Sequence, residues 1–158
     1  MYAIDASGSV PDEYVALALR IAETPVRGVE QAIISFDAEV YPVEDRKVRG
    51  GGGTVVQKVE DWIRAGRHYP DRVFVFTDGE FEAPRLLFPH RWTWFLIEGG
   101  SCDAIPAEGR IETLKCIVAL PIVVRRGEGA DSAWVSQKTG YDKKMWIDMR
   151  GRGESIIN

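Results

Sequence analysis

Three short runs of this chain are apolar at every position: Tyr2-Ala3-Ile4, Ala32-Ile33-Ile34 and Val73-Phe74-Val75-Phe76. A strand with one wet face alternates apolar and polar residues. A strand apolar throughout is buried on both faces, as in a parallel sheet covered by helices. The first and last runs also deliver an acid at their C-terminal ends: Asp5 follows Ile4, and Asp78 follows Thr77.

The segments between these runs read as helices and turns. Val10 to Glu23 is predicted as a helix, with Pro11 at its first position, where no amide donor is needed, and Asp12 and Glu13 in the first turn. Tyr14, Ala18, Ile21 and Ala22 make its apolar face, with Leu17 adjoining, and Pro25 stops it. Gln31 to Phe36 is a strand, Asp37-Ala38 a tight turn, and Glu39 to Val43 an antiparallel edge strand that tolerates Pro42. Glu44 to Gly53 is a polar, glycine-heavy loop. Val55 to Ala65 is a second helix, with Val55, Val59, Trp62 and Ile63 on one side and Gly66 as its stop. Arg72 to Phe76 is a strand, Phe81 to Phe88 a short helix broken by Pro84, Trp92 to Ile97 a strand, and Cys116 to Leu120 a sixth strand. Trp92 and Trp94 share one face of their strand and are expected in the core. This alternation predicts an α/β fold, a doubly wound, mostly parallel six-stranded sheet with one antiparallel edge strand. Residues 1–120 would form that domain. Residues 121–158, without clear periodicity but holding Trp134, Val135, Trp146 and Ile147, would be an extension packed on or beside it.

Composition narrows the function classes. The net charge of −4 over 158 residues gives no argument for a nucleic-acid partner. Residues 1–120 hold 13 Lys/Arg against 19 Asp/Glu, whereas 121–158 hold 7 against 5. The tail is thus different in kind, yet not a basic arm. Cys102 and Cys116 form no C-x-x-C or zinc spacing. No apolar stretch is long enough to span a bilayer. With Met1 taken as the true start, no signal peptide is visible, and the expected location is the cytoplasm.

The polar residues at the strand ends carry the chemistry. Asp5-x-Ser7-x-Ser9 follows the first strand, Gly50-Gly51-Gly52-Gly53-Thr54 precedes the second helix, and Thr77-Asp78-Gly79 follows the third apolar run. These donors are all oxygen, with no His or Cys, which suits a hard cation such as Mg²⁺. Doubly wound sheets bind ligands beyond the strand C-termini, where strand order reverses, so Asp5 and Asp78 are expected to meet there. Taken singly, Ser7 and Ser9 read equally well as helix caps, and Asp78-Gly79 as an ordinary turn. Glu80 and Glu82 read as solvated charges, and His68 and His90 as structural or exposed. The glycine loop lacks the Lys-Ser/Thr ending of a phosphate-binding loop.

In this order and context the set resembles the metal-ion-dependent adhesion site of von Willebrand factor A domains, over roughly residues 2–120. The four-glycine loop and the Phe36-Asp37-Ala38-Glu39-Val40 turn look most like bacterial and phage A domains linked to metallopeptidase-like proteins. The resemblance implies a Rossmann-like fold and a site for Mg²⁺ or Mn²⁺. It implies that Ser7 and Ser9 ligate directly, Thr54 directly or through water, and Asp5 and Asp78 mostly through water. It also implies a non-enzymatic module that grips an acidic residue of a protein partner, such as an AAA ATPase or an assembly subunit, with no nucleic acid and no membrane involved. Neutral hydroxyls around the ion leave it strongly attractive to an incoming carboxylate.

Two other classes stay open. A metal-dependent hydrolase of the haloacid dehalogenase type also begins with an Asp after its first strand, but it wants a second Asp where Ser7 stands. A scaffold or virion component with a vestigial site predicts binding insensitive to metal.

Overall fold

A computed structural model describes residues 1–114 in full, together with the backbone of two strands, 122–126 and 133–137. The strands are β1 (Tyr2–Asp5), β2 (Ile33–Phe36), β3 (Val40–Pro42), β4 (Lys47–Val48), β5 (Val73–Thr77), β6 (Trp92–Ile97), β7 (Arg110–Leu114), β8 (Ile122–Arg126) and β9 (Ala133–Gln137). The helices are α1 (Asp12–Glu23) and α2 (Val56–Ala65). A six-stranded sheet runs β3-β2-β1-β5-β6-β7, and a three-stranded sheet runs β4-β9-β8. In the larger sheet every pairing is parallel except β2 with β3. The fold is therefore α/β, built on a mostly parallel sheet with one antiparallel edge strand.

Alternation along each strand sends successive side chains to opposite faces. On one face Ile4, Phe76 and Phe95 meet Val15, Ala16, Leu19 and Ala22 of α1. On the other, Ala3, Ile34, Phe36, Val75, Trp92 and Trp94 meet Val56, Val59 and Ile63 of α2. One helix thus covers each face. Trp92 and Trp94 are fully buried and stacked, 5.5 Å between ring centroids. The chain leaves β1 for β2 on one side and returns through α2 to β5 on the other, so strand order reverses at β1.

Several expectations are corrected. Helix α1 starts at Asp12, with Pro11 just before it and no side-chain cap, so Ser7 and Ser9 are not its caps. Its buried residues are Val15 to Leu19 and Ala22, while Tyr14 and Ile21 are only partly buried. That broad burial follows from β8 lying alongside α1 as well as the main sheet. In α2 the packed residues are Val56, Val59, Glu60 and Ile63; Val55 and Trp62 are 40% and 41% exposed. No helix forms over Phe81–Phe88. There the Arg85 N–H donates to Gln57 Oε1 and the Leu87 N–H to Glu60 Oε1, at 2.8 and 3.0 Å, in place of an i−4 carbonyl. The sixth strand of the main sheet is β7, and the strand expected at Cys116–Leu120 lies outside the described residues. β7 was unreadable as a strand because it is a largely exposed edge, with Arg110 and Glu112 paired to each other. The glycine-rich loop contains β4, which pairs with β9, so residues 133–137 are joined to the main domain by backbone hydrogen bonds.

Candidate functional site

Asp5 ends β1 and Thr77 ends β5, and these strands are neighbours. Their parallel register brings the two side chains together beyond the sheet. The Thr77 hydroxyl donates to Asp5 Oδ2 at 2.6 Å and itself accepts the Gly79 N–H at 3.1 Å. The Ser7 N–H donates to Asp5 Oδ1 at 3.0 Å. Both oxygens of this fully buried carboxylate are thus fixed in direction. The Ser7 and Ser9 hydroxyls lie 3.2 Å apart, Ser7 buried and Ser9 exposed.

The glycine loop is sewn to this first loop by backbone. The Gly51 N–H donates to the Ala6 carbonyl at 2.7 Å, and the Gly8 N–H to the Gly52 carbonyl at 3.0 Å. A side chain at position 50 would collide with the backbone and side chain of Ala6. Glycine is therefore required there by close approach, not by backbone angle. Asp37 holds the loop from its other side: its two carboxylate oxygens accept the Gly52 N–H at 3.0 Å and the Glu39 N–H at 2.9 Å. Its carbonyl accepts the Val55 N–H at 2.9 Å. Thr54 lies between these anchors, half-buried, and its hydroxyl makes no hydrogen bond among the described residues.

Asp78 is 5% exposed. One of its oxygens accepts the Glu80 N–H at 2.9 Å, and its carbonyl accepts the Ser101 N–H at 2.8 Å. Gly79 has φ +79°, the left-handed region that favours glycine, and a side chain there would strike the Ser101 carbonyl. The Thr77-Asp78-Gly79 loop is thus clamped by the Gly99–Ser101 turn.

Electrostatics separate Asp5 from an ordinary carboxylate. Burial pushes its pKa up from 3.8 to about 6. The hydrogen bonds from Thr77 and Ser7 oppose that rise, and the nearby Asp78 carboxylate adds to it. Among the described residues no Lys, Arg or His forms a salt bridge with Asp5 or Asp78. Two carboxylates near one another without a basic side chain, beside the Ser7 and Ser9 hydroxyls, are oxygen donors of the kind a hard divalent cation takes. Among the described residues no three His, Cys, Asp or Glu side chains form a metal-ligating group; the set here has two carboxylates, and its other donors are hydroxyls.

Of the five residues singled out from sequence, Asp5, Ser7 and Ser9 share one loop, and Asp78 comes within electrostatic reach of Asp5. Thr54 belongs to a loop bonded to theirs, without a direct hydrogen bond to any of them. Sequence reasoning missed the scaffolding role of Asp37 and the part Thr77 plays in orienting Asp5. The signal for Asp37 was present, since Asp at a turn binds backbone two residues on. Glu80, Glu82, His68 and His90 are exposed. Among the described residues no helix is long and apolar enough to cross a membrane. Compared with protein-family models, curated proteins and solved structures, the chain has no match.

Proposed function

We propose that this protein is a divalent-cation-dependent protein-interaction module of the von Willebrand factor A kind. Its doubly wound, Rossmann-like domain would span residues 1–120, with 121–158 as an extension. Ser7, Ser9 and Thr54 would offer hydroxyls to Mg²⁺ or Mn²⁺, and Asp5 and Asp78 would act mostly through water. An acidic residue of a protein partner would complete the ion's shell. An AAA ATPase or an assembly subunit in the same cytoplasmic compartment is the partner class proposed.

The observation that carries this reading is the double backbone stitch between the Ala6–Gly8 and Gly51–Gly52 segments at the end of β1. It holds the loop that carries Thr54 against the loop that carries Ser7 and Ser9. The locking of Asp5 by Thr77 and Ser7 supports an orienting role for that carboxylate. Neutral hydroxyls quench little of a divalent charge, so the cation keeps its pull on an incoming carboxylate.

Calorimetric titration of Mg²⁺ and Mn²⁺ into the wild type and the Ser7→Ala/Ser9→Ala variant tests the proposal. Wild type is expected to bind one ion. The variant is expected to lose about tenfold or more in affinity with an unchanged circular dichroism spectrum, because Ser9 is exposed and both residues lie beyond the sheet. Equal binding by both proteins, or none by wild type, would remove the metal from the account.

A further inference from the structure

Beside the rim lies an open cleft of about 750 Å³, with Thr54, Val55, Gln57, Arg64, Glu82 and Arg85 among its walls. Thr54 belongs to both places, so a peptide with one carboxylate at the rim would run directly into the cleft. We infer that the cleft receives the continuation of the partner's segment, in extended form, and that this continuation carries a second acidic residue. The inference rests on the metal reading of the rim and specifies its partner further.

The cleft is built before any partner arrives. The Gln57 and Glu60 side chains accept the Arg85 and Leu87 amides, holding the 82–87 chain against α2 as a wall. Its charge also runs against that of the molecule. Residues 1–120 carry six more acids than bases, yet this cleft presents two guanidinium groups against one carboxylate, Glu82. Arg46, Lys58 and Arg110 each pair with a glutamate, whereas Arg64 and Arg85 form no ion pair among the described residues. Both are exposed, so their charge faces the cleft mouth at little desolvation cost. Val55, 40% exposed, offers an apolar contact between the rim and the arginines.

The spacing of the second acid follows from geometry. Arg64 lies eight residues beyond Val56, where α2 begins, a rise of about 12 Å at 1.5 Å per helical residue, with Thr54 two residues before it. The Arg85 N–H is bonded to the side chain of Gln57, in the first turn of α2 and three residues beyond Thr54. An extended peptide advances about 3.3 Å per residue. The second acid therefore belongs two to five residues from the one at the rim.

A display library of decapeptides with one fixed Asp and all other positions randomised, selected against the full chain in Mg²⁺, tests this. Retained peptides are expected to carry Asp or Glu two to five positions to one side of the fixed Asp. By fluorescence anisotropy the best of them should bind Arg64→Glu/Arg85→Glu at least tenfold more weakly. Arg64→Gln/Arg85→Gln should show a smaller loss, and Mg²⁺ titration of both variants should match wild type. Peptides without that acid, equal affinity for the double variants, or no retained peptide despite normal Mg²⁺ binding would overturn the cleft inference and leave the rim reading intact. A wild type that binds no Mg²⁺ would overturn the rim reading, and the cleft inference with it.

Discussion

The two faces of the six-stranded sheet are covered in different ways. Beneath α1 the contact is hydrocarbon on hydrocarbon, with Ala16, Leu19 and Ala22 against Ile4, Phe76 and Phe95. Beneath α2 the helix is shorter, ten residues against twelve, and the remaining area is filled by two stacked tryptophans and the irregular 79–88 chain. An irregular segment brings amides that need acceptors. Glu60 supplies one from the interior: fully buried, it accepts from the Leu87 N–H and from the Tyr69 hydroxyl, which in turn accepts the Trp92 indole N–H. By strand alternation Asp5 and Thr77 also belong to the α2 side. On the α1 side loop enters at Val48 and Arg49, and there the fully buried Ser35 hydroxyl accepts the Arg49 N–H. The more of a face is sealed by loop, the more buried polar groups it must carry, and the candidate chemistry gathers on the α2 side.

The largest effect that would break this comparison is a cavity. Trp94→Ala should cost about 4 kcal/mol by urea denaturation, and Leu19→Ala on the opposite face about 3 kcal/mol. A reversed order would mean that the α2 face is not organised by its tryptophans.

Next comes pH. Between about pH 4 and pH 6 the folded state keeps a proton on Asp5 that the unfolded chain has released. Stability should therefore fall as pH rises through that window, by up to about 3 kcal/mol, and the loss should persist above it. Asp5→Asn should flatten the profile in denaturation curves taken from pH 4 to pH 7, whereas Leu19→Ala should shift it without changing its slope. Under the proposed function, saturating Mg²⁺ should flatten it too, by stabilising the charged carboxylate.

The smallest effect sharpens the role of Glu60. Glu60→Leu leaves the Leu87 amide and the Tyr69 hydroxyl without their acceptor, at a cost of about 2 kcal/mol. Hydrogen exchange should accelerate at Leu87 and Arg85 while amides of α1 keep their protection. Uniform acceleration would show that the 82–87 segment is not held locally.

Legibility in the sequence followed burial. β1, β2, β5 and β6 were readable because strands buried on both faces are mostly apolar, and β3 because a turn precedes it and its last residue, Pro42, is tolerated at an edge. β7 was not, since an exposed edge strand such as Arg110-Ile111-Glu112-Thr113-Leu114 is as polar as a loop. β4 is two residues long and exists only through its pairing with β9, a partner far away in sequence. Trp62 was assigned inward by periodicity and points outward, because buried Glu60 occupies the packing position that hydrophobicity would have given to an apolar residue. At the candidate site, what was legible is that Asp5 and Asp78 stand at strand C-termini: Asp5 is the last residue of β1 and Asp78 the first after β5. For Asp37 only the local bond to the Glu39 N–H was legible; its bond to the Gly52 N–H spans fifteen residues.

Local chemistry alone determined which segments become buried strands, where α1 and α2 begin and end to within two residues, and that oxygen donors stand at the strand ends. Tertiary structure decided which strands are neighbours, and so that Thr77 rather than another hydroxyl orients Asp5. It also decided that the 82–87 chain forms a cleft wall instead of a helix. Periodicity reports which side of an element is apolar, but the acceptor for a given amide is chosen by what lies across from it, and distance along the chain does not encode that.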